Sequence, residues 1–176
     1  FDRPPLLSNT GCWEPGDVLV DPYPVPVLPE APNGIYQLLI GLYRGEDEDA
    51  DFLHIVHDGI ETEMDNVSIG PIKVGGPPPG STVVDYHPEH RLDISLGDAI
   101  RLVGYDSKVL EARKLFLRLY WQSIGETDVD YTLFVHLLNE AGEIVSQADH
   151  LAAQRAEAAT VYPTSVWDKG EVILDE

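Results

Sequence analysis

The sequence has little positive charge for its size, one cysteine and no long hydrophobic run. Lys and Arg together number 11 against 31 Asp and Glu, which gives a formal net charge of −20 in 176 residues. Nucleic-acid binding depends on cationic side chains that neutralise phosphates, and binding to anionic membranes needs them as well. The charge balance therefore argues against both partners and leaves neutral sugars, cations and other proteins.

The single cysteine, Cys12, cannot form an intramolecular disulfide, so cysteine usage does not indicate a compartment. The longest apolar run, residues 35–43, is interrupted by Gln37 and Gly41 and is shorter than the ~20 residues of a membrane-spanning helix. We therefore expect no direct membrane insertion of this chain. The first residue is Phe rather than Met, and we expect the chain to be a fragment or a processed form of a longer protein.

Short apolar stretches separated by 14 prolines and 15 glycines are typical of an all-β fold. The strongest strand predictions are residues 34–43, 115–121 and 131–138, where apolar side chains recur at every second position. In the first of these, the alternation places Tyr36, Leu38, Ile40 and Leu42 on one face.

The remaining secondary-structure predictions are weaker, apart from a hairpin turn at residues 139–142, which read N-E-A-G. Further strands are predicted at 17–20, 52–56, 67–74, 99–105, 143–147 and 171–175, and helical turns at 107–114 and 151–159. About nine short strands with frequent turn residues predict a two-sheet antiparallel β-sandwich with little helix.

One nine-residue pattern occurs twice. Residues 13–21 read W-E-P-G-D-V-L-V-D and residues 167–175 read W-D-K-G-E-V-I-L-D, 154 positions apart. The shared residues predict a buried Trp, a Gly turn and an alternating strand in both copies. Because the spacing is the length of a whole sandwich domain, we expect the chain to be a window cut across a tandem array.

A proline- and glycine-rich segment, residues 75–82, is the one stretch that resembles a linker. It separates two half-repeats, residues 1–74 and 83–176, each of which lacks strands of a complete domain. We expect them to assemble into a single β-sandwich domain covering residues 1–176. The pattern leaves open whether the halves pair within one chain or between two chains in a strand-swapped dimer.

Six segments carry a resemblance to a known group of proteins. They are L-V-G-Y at 102–105, L-R-L-Y-W at 117–121, D-Y-T-L-F-V-H-L-L at 130–138, Q-A-D at 147–149, P-T-S-V-W-D-K-G-E at 163–171 and G-I-Y-Q-L-L-I-G-L-Y at 34–43. Together they resemble tail regions of bacterial multi-spanning membrane proteins of the glycosyltransferase 39 type and of related uncharacterised proteins. The resemblance implies a jelly-roll-like β-sandwich on the extracytoplasmic side, and it implies no catalytic residues.

Two kinds of ligand site are compatible with the residues present. Aromatic platforms with a nearby amide suit carbohydrate, and the candidates are Trp13, Trp121, Trp167, Tyr120 and Gln122. Crowded carboxylates suit Ca²⁺, which prefers six to eight oxygen ligands, and the candidates are Glu46, Asp47, Asp49 and Asp51. This acidic run lacks the glycine and the terminal Glu of an EF-hand loop.

The sequence contains no G-x-S-x-G, no H-E-x-x-H and no complete phosphate-binding loop. We therefore predict a non-catalytic extracytoplasmic accessory domain of a larger protein, with glycans or neighbouring domains as partners and no nucleic acid. The first alternative is a carbohydrate- or Ca²⁺-binding module, with Ca²⁺ as the one cofactor left open. The second is a glycan-acting hydrolase, for which no pair of facing carboxylates can be identified.

Overall fold

The protein is described from a computed structural model that covers residues 10–44, 51–111, 114–153 and 161–176. The chain divides into two units, Phe1–Ala31 and Pro32–Glu176. In the first unit, a single-turn 3-10 helix at Thr10–Cys12 precedes a turn and an extended stretch that contains no strand among residues 10–31.

The second unit is all-β, as the sequence predicts, and the described residues contain no α-helix. Among the described residues, every strand pairs antiparallel with its neighbours, in one four-stranded and four two-stranded sheets. The strands are β1 (Gly34–Gly41), β2 (Tyr43–Arg44), β3 (Asp51–Phe52), β4 (Val56–His57), β5 (Ile60–Glu61), β6 (Asn66–Val74), β7 (His90–Leu96), β8 (Ile100–Leu110), β9 (Lys114–Ser123), β10 (Thr132–Leu138), β11 (Ile144–Leu151) and β12 (Val172–Asp175).

The four-stranded sheet has the order β12-β9-β8-β7 and carries the core on one face. On β9, Leu119 and Trp121 alternate toward this face, as the period-two pattern predicts, and Ile173 of β12 lies opposite Trp121. The core also contains residues from the chain between β11 and β12 and receives partly buried side chains from β1 and β10. These residues are Ala152, Ala153, Tyr162 and Trp167, with Ile35, Leu133 and Val135 packed against them.

The pairing of β1 with β6 contains a bulge. The register shifts between Tyr36 and Leu38, where Gly70 and Pro71 of β6 together lie opposite Gln37 of β1. The extra residue therefore belongs to β6, and β1 itself keeps its alternation. Ile35 and Leu38 are the half-buried apolar residues of β1, while Tyr36 and Ile40 are 37% and 48% exposed, so burial along β1 does not follow the predicted apolar face.

The other predicted turns and strands are partly confirmed and partly wrong. The turn at 139–142 is confirmed, with Gly142 at a φ of +80° and the Asn139 N–H donating to the Glu143 carbonyl at 3.0 Å. Of the helical turn predicted at 107–114, the part at 107–110 is wrong, because β8 continues to Leu110 and pairs with β9, and residues 112–113 lie outside the described part of the chain. Residues 52–56 are not one strand, and 17–20 form none. Of the turn predicted at 151–159, residues 154–159 lie outside the described part of the chain.

The Pro/Gly segment is built into the sheet at its C-terminal end. Ser81 is buried, and its carbonyl accepts a hydrogen bond from the Leu174 N–H at 3.0 Å. The Val83 N–H donates to the Val172 carbonyl at 2.9 Å, and Thr82 forms a bridge with Ile173. Residues 81–83 therefore line the edge of β12 that faces away from β9.

Candidate interaction site

The second copy of the repeated pattern begins with a tightly anchored turn. The 3-10 helix Thr164–Val166 is fixed by the Thr164 hydroxyl, which donates to the Val129 carbonyl at 2.6 Å and accepts from the Tyr131 N–H at 2.9 Å. The following Trp167 is 6% exposed, and its indole N–H donates to the Tyr162 carbonyl at 2.9 Å. The Trp is therefore a hydrogen-bonded core residue at a corner of the fold.

A glycine turn leads from this Trp into β12. Gly170 has a φ of +96°, a conformation that favours glycine because a Cβ atom would strain it. The Glu171 carboxylate accepts from the Asp168 N–H at 2.9 Å, and the Glu171 N–H donates to the Asp168 carbonyl at 3.1 Å. The acidic residue after the glycine thus closes the turn through its side chain.

β12 occupies a slot that we define as the position between β9 and residues 81–83. Ile173 is fully buried in it, and the strand is hydrogen-bonded on both edges. Asp175 ends the pattern with a side chain only 1% exposed. Its carboxylate lies 2.7 Å from His150 Nε2 and accepts from the Ala153 N–H at 3.1 Å, where Ala153 has a φ of +61°.

A polar cluster beside the turn joins β6 to the second copy. The Tyr162 hydroxyl donates to the Glu171 carboxylate at 2.5 Å and accepts from Lys73 Nζ at 3.1 Å. Lys73 Nζ also lies 2.6 Å from the Asp168 carboxylate and 3.6 Å from that of Glu171. Burial raises the pKa of Tyr162, and the hydrogen bond to Glu171 raises it further, so the phenol stays protonated as a donor.

In this structure the cluster joins residues 34–74 to residues 83–176, because Lys73 belongs to the first range and its partners to the second. Sequence reasoning missed Lys73 and Tyr162 altogether. The one signal in the sequence concerns Glu171, the carboxylate that both residues contact. The acidic residue at position 171 repeats the one at position 17, which marks it as part of the pattern.

The first copy adopts the same local backbone geometry. The Trp13 N–H donates to the Thr10 carbonyl at 3.2 Å, and the corresponding bond from Trp167 to Thr164 is 3.3 Å. Gly16 has a φ of +99°. The Glu14 N–H donates to the Asp17 carboxylate at 2.9 Å, and the Asp17 N–H to the Glu14 carbonyl at 3.0 Å. Each contact recurs 154 positions later.

The two copies differ in what surrounds the strand. Val18 is 90% exposed, Leu19 49% and Val20 88%, and none lies in a strand. In the second copy, Val172 and Ile173 are buried in β12. The same pattern is therefore present once inside a sheet and once with its aliphatic residues facing solvent.

Three of the four aromatic residues predicted as carbohydrate platforms are buried. Trp121, Trp167 and Tyr120 are each no more than 7% exposed, so their rings have no face available for a sugar. Tyr120 and Trp121 are consecutive on β9 and point to opposite faces of the sheet. Gln122 is half-buried on the same strand, and Trp13, in the other unit, is 37% exposed as a residue.

Tyr120 has a structural partner in place of a ligand. Its hydroxyl donates to the Asp106 carboxylate at 2.7 Å. Burial raises the pKa of Tyr120, and the hydrogen bond to Asp106 adds to the increase. Trp121 differs, because its indole nitrogen is buried without a hydrogen-bond partner.

The proposed Ca²⁺ ligands are only partly described. Asp51 forms an ion pair with Arg44 at the start of β3, with Arg44 Nε 2.7 Å from the carboxylate. Glu46, Asp47 and Asp49 lie outside the described residues. Elsewhere in the described ranges, no group of three or more His, Cys, Asp or Glu side chains is close enough to hold a metal ion.

An open polar cleft of about 590 Å³ lies beside the Trp167 turn. Its acidic side chains are Glu126, Asp128 and Asp168, and Lys73 contributes the cation already paired with Asp168. The cleft also contains the Ser165 hydroxyl, a buried oxygen without a hydrogen-bond partner. Its lining offers no exposed aromatic platform, since Trp167 is buried.

No protein-family model matches this chain, and no curated protein or solved structure matches it either. Within the described ranges, no helix is long and apolar enough to cross a membrane.

We expect no thermal stabilisation of this chain by a panel of neutral glycans, with or without Ca²⁺. A ligand that binds only the folded state must raise Tm by mass action, and two of the three tryptophans proposed as platforms are buried. Differential scanning fluorimetry checks this. A reproducible increase with one sugar class that disappears in a Trp13→Ala variant would contradict it and locate a site at the exposed Trp.

Proposed function

We propose that this chain is a non-catalytic, extracytoplasmic accessory region of a larger protein that consists of tandem β-sandwich domains of jelly-roll type. Within that array the chain spans the junction between two consecutive domains. The observation that carries the proposal is the pair of structurally equivalent turns at Trp13 and Trp167, one leading into a buried strand and the other into an exposed one.

The exposed copy is difficult to explain as an isolated surface feature. Its local turn bonds need the Trp13 backbone, Gly16 and the acidic Asp17, but they do not need the aliphatic residues at 18–20. Solvent-facing valines of this kind contribute nothing to stability unless another element covers them. A domain that precedes this region in the array supplies such an element.

The segment after the first copy has the composition of an interdomain connector. Residues 22–33 contain five prolines and lead to β1. Proline-rich segments are extended and semi-rigid, so they hold two domains at a set distance.

The sandwich and accessory-domain parts of the proposal have separate support. The core lies between one face of the four-stranded sheet and side chains of β1 and β10, an arrangement compatible with two packed layers. The resemblance to extracytoplasmic tails, the acidic charge and the lack of catalytic signatures favour a non-catalytic role outside the cytoplasm. Contacts with neighbouring domains fit this role better than glycan binding, because Trp121 and Trp167 are buried.

A circular permutant tests the array. If one period of the repeat is 154 residues, then residues 75–176 followed directly by residues 23–74 contain every position of one period once. This permutant opens the chain at the exposed Gly75 and retains β1 to β12. We expect it to fold as one cooperative unit with a Tm within about 5 °C of that of the unpermuted chain.

The matched control keeps the same new termini but omits residues 23–33, so that Glu176 joins Gly34 without the connector. We expect this control to lose the cooperative transition. A full-length permutant that does not melt cooperatively, measured by circular dichroism and calorimetry, would overturn the array.

A further inference from the structure

We propose that residues 10–21 are a donor strand, which completes the sheet of a neighbouring domain of the same fold by filling the slot between that domain's β9 and its equivalents of residues 81–83. This inference rests on the proposed tandem array and names the contact by which two consecutive domains join.

The second copy shows how a segment of this type is held. The slot supplies hydrogen bonds to both edges of the strand, from β9 on one side and from Ser81 and Val83 on the other. Strand addition to a sheet edge gives affinity through backbone bonds, and pockets for alternate side chains give specificity. Here the side-chain pocket is the core around Ile173, which lies opposite Trp121.

Residues 10–21 present the same chemistry at each position that the slot contacts. The anchoring Thr, the Trp, the turn glycine, an acidic residue that closes the turn, an aliphatic residue at the buried position and the final Asp are all retained. The equivalent pairs are Thr10 and Thr164, Trp13 and Trp167, Gly16 and Gly170, Asp17 and Glu171, Leu19 and Ile173, and Asp21 and Asp175.

The first copy is also preorganised for this role. Its 3-10 helix and its acid-closed glycine turn are already formed, so only Val18, Leu19 and Val20 remain to be ordered as a strand. Preorganisation reduces the entropy that association must overcome. The slot of this chain is filled by its own β12, which follows it in sequence. In an array, residues 10–21 stand in the same relation to the domain before them.

The experiment uses the full chain in two arms. In the first, residues 167–175 receive the sequence of the first copy through Asp168→Glu, Lys169→Pro, Glu171→Asp, Ile173→Leu and Leu174→Val. We expect this chimera to melt cooperatively within about 5 °C of the wild-type Tm. Its control carries Ile173→Asp in place of Ile173→Leu, and we expect it to have no cooperative transition.

In the second arm, a synthetic peptide of residues 10–21 with Cys12→Ser is added to the full chain carrying Ile173→Ala, which weakens the resident strand. We expect the peptide to raise Tm by several degrees at millimolar concentration, through mass action. The same peptide with Leu19→Asp is the control and should give no increase. If Ile173→Ala does not melt cooperatively alone, the milder Ile173→Val takes its place.

Loss of cooperative melting in the chimera would overturn the inference, because the first copy would then not fit the slot. A normal chimera with no Tm increase from the peptide would overturn donation between separate molecules or domains. Neither result affects the circular permutant, which contains only the second copy. Failure of the permutant would instead count against the array itself.

Discussion

Replacing Ile173 by Asp is expected to lower the free energy of unfolding by more than about 4 kcal/mol, whereas the same change at Leu19 should alter it by less than about 0.5 kcal/mol. Ile173 is fully buried beside Trp121, so a carboxylate there has neither water nor a cationic partner among its core neighbours. Leu19 is 49% exposed and outside any strand, so Asp at that position stays hydrated.

The chain provides this comparison as an internal control, because the two positions are equivalent in the repeat and receive the same substitution. Urea denaturation followed by tryptophan fluorescence and by far-ultraviolet circular dichroism measures both variants. A large loss of stability in Leu19→Asp would show that the first copy is covered within the chain. In that case it would not be available as a donor strand.

Thr10 and Thr164 are another equivalent pair of the repeat, and they indicate why the exposed copy retains its sequence. Thr164 is 2% exposed because its hydroxyl bridges Val129 and Tyr131, while the equivalent Thr10 is exposed. The buried anchor at position 164 requires a hydroxyl, whereas the exposed position 10 does not require Thr. Its presence in both copies is expected if both anchor the same kind of domain.

The strands predicted best from the sequence are those that pack one face against the core. β9 alternates through Leu117, Leu119 and Trp121 toward the core, although Tyr120 on its other face is buried as well. β7 was missed although Leu92, Ile94 and Leu96 also alternate, because intervening charged and polar residues make the segment look like a loop. It lies at the edge of the sheet, where such residues are common.

The errors in the fold come from information that a single segment does not contain. The bulge opposite Gln37 lies in the partner strand β6, where Gly70 and Pro71 together face one residue of β1. At residues 107–110 the pairing of β8 with β9 replaces the predicted helical turn, because ten residue pairs of the two strands align, which local propensity cannot reveal.

The candidate site was predictable in part. The repeat identified Trp167, Gly170 and Glu171 as one structural unit, and the structure gives each a defined contact. Lys73 and Tyr162 could not be found in this way, because they are 89 positions apart and meet only after both halves have folded. Their contact is the reason to expect that residues 34–74 and 83–176 pair within one chain.

Replacing Lys73 by Met is therefore expected to lower the free energy of unfolding by about 3 kcal/mol. The Lys73 side chain is 14% exposed and is the cation that faces Asp168 and Glu171, with the Tyr162 hydroxyl as a third partner. Met retains most of the aliphatic stem but leaves the Glu171 carboxylate, which is 15% exposed, without its cation. Lys169→Met, an exposed lysine in the same turn, is the matched control and should change stability by less than about 0.5 kcal/mol.

A double-mutant cycle with Glu171→Gln separates this contact from general packing. We expect a coupling energy of at least about 1 kcal/mol between Lys73→Met and Glu171→Gln, since the two charges meet in a partly buried cluster. Sedimentation of the wild type under the same conditions shows whether the protein is a monomer or a dimer when the coupling energy is measured. Coupling in a monomer means that both half-repeats close one domain in cis; coupling only in a dimer means that the halves exchange between chains. A coupling near zero means that residues 34–74 belong to the sheet of another domain, and the junction would then lie after β6.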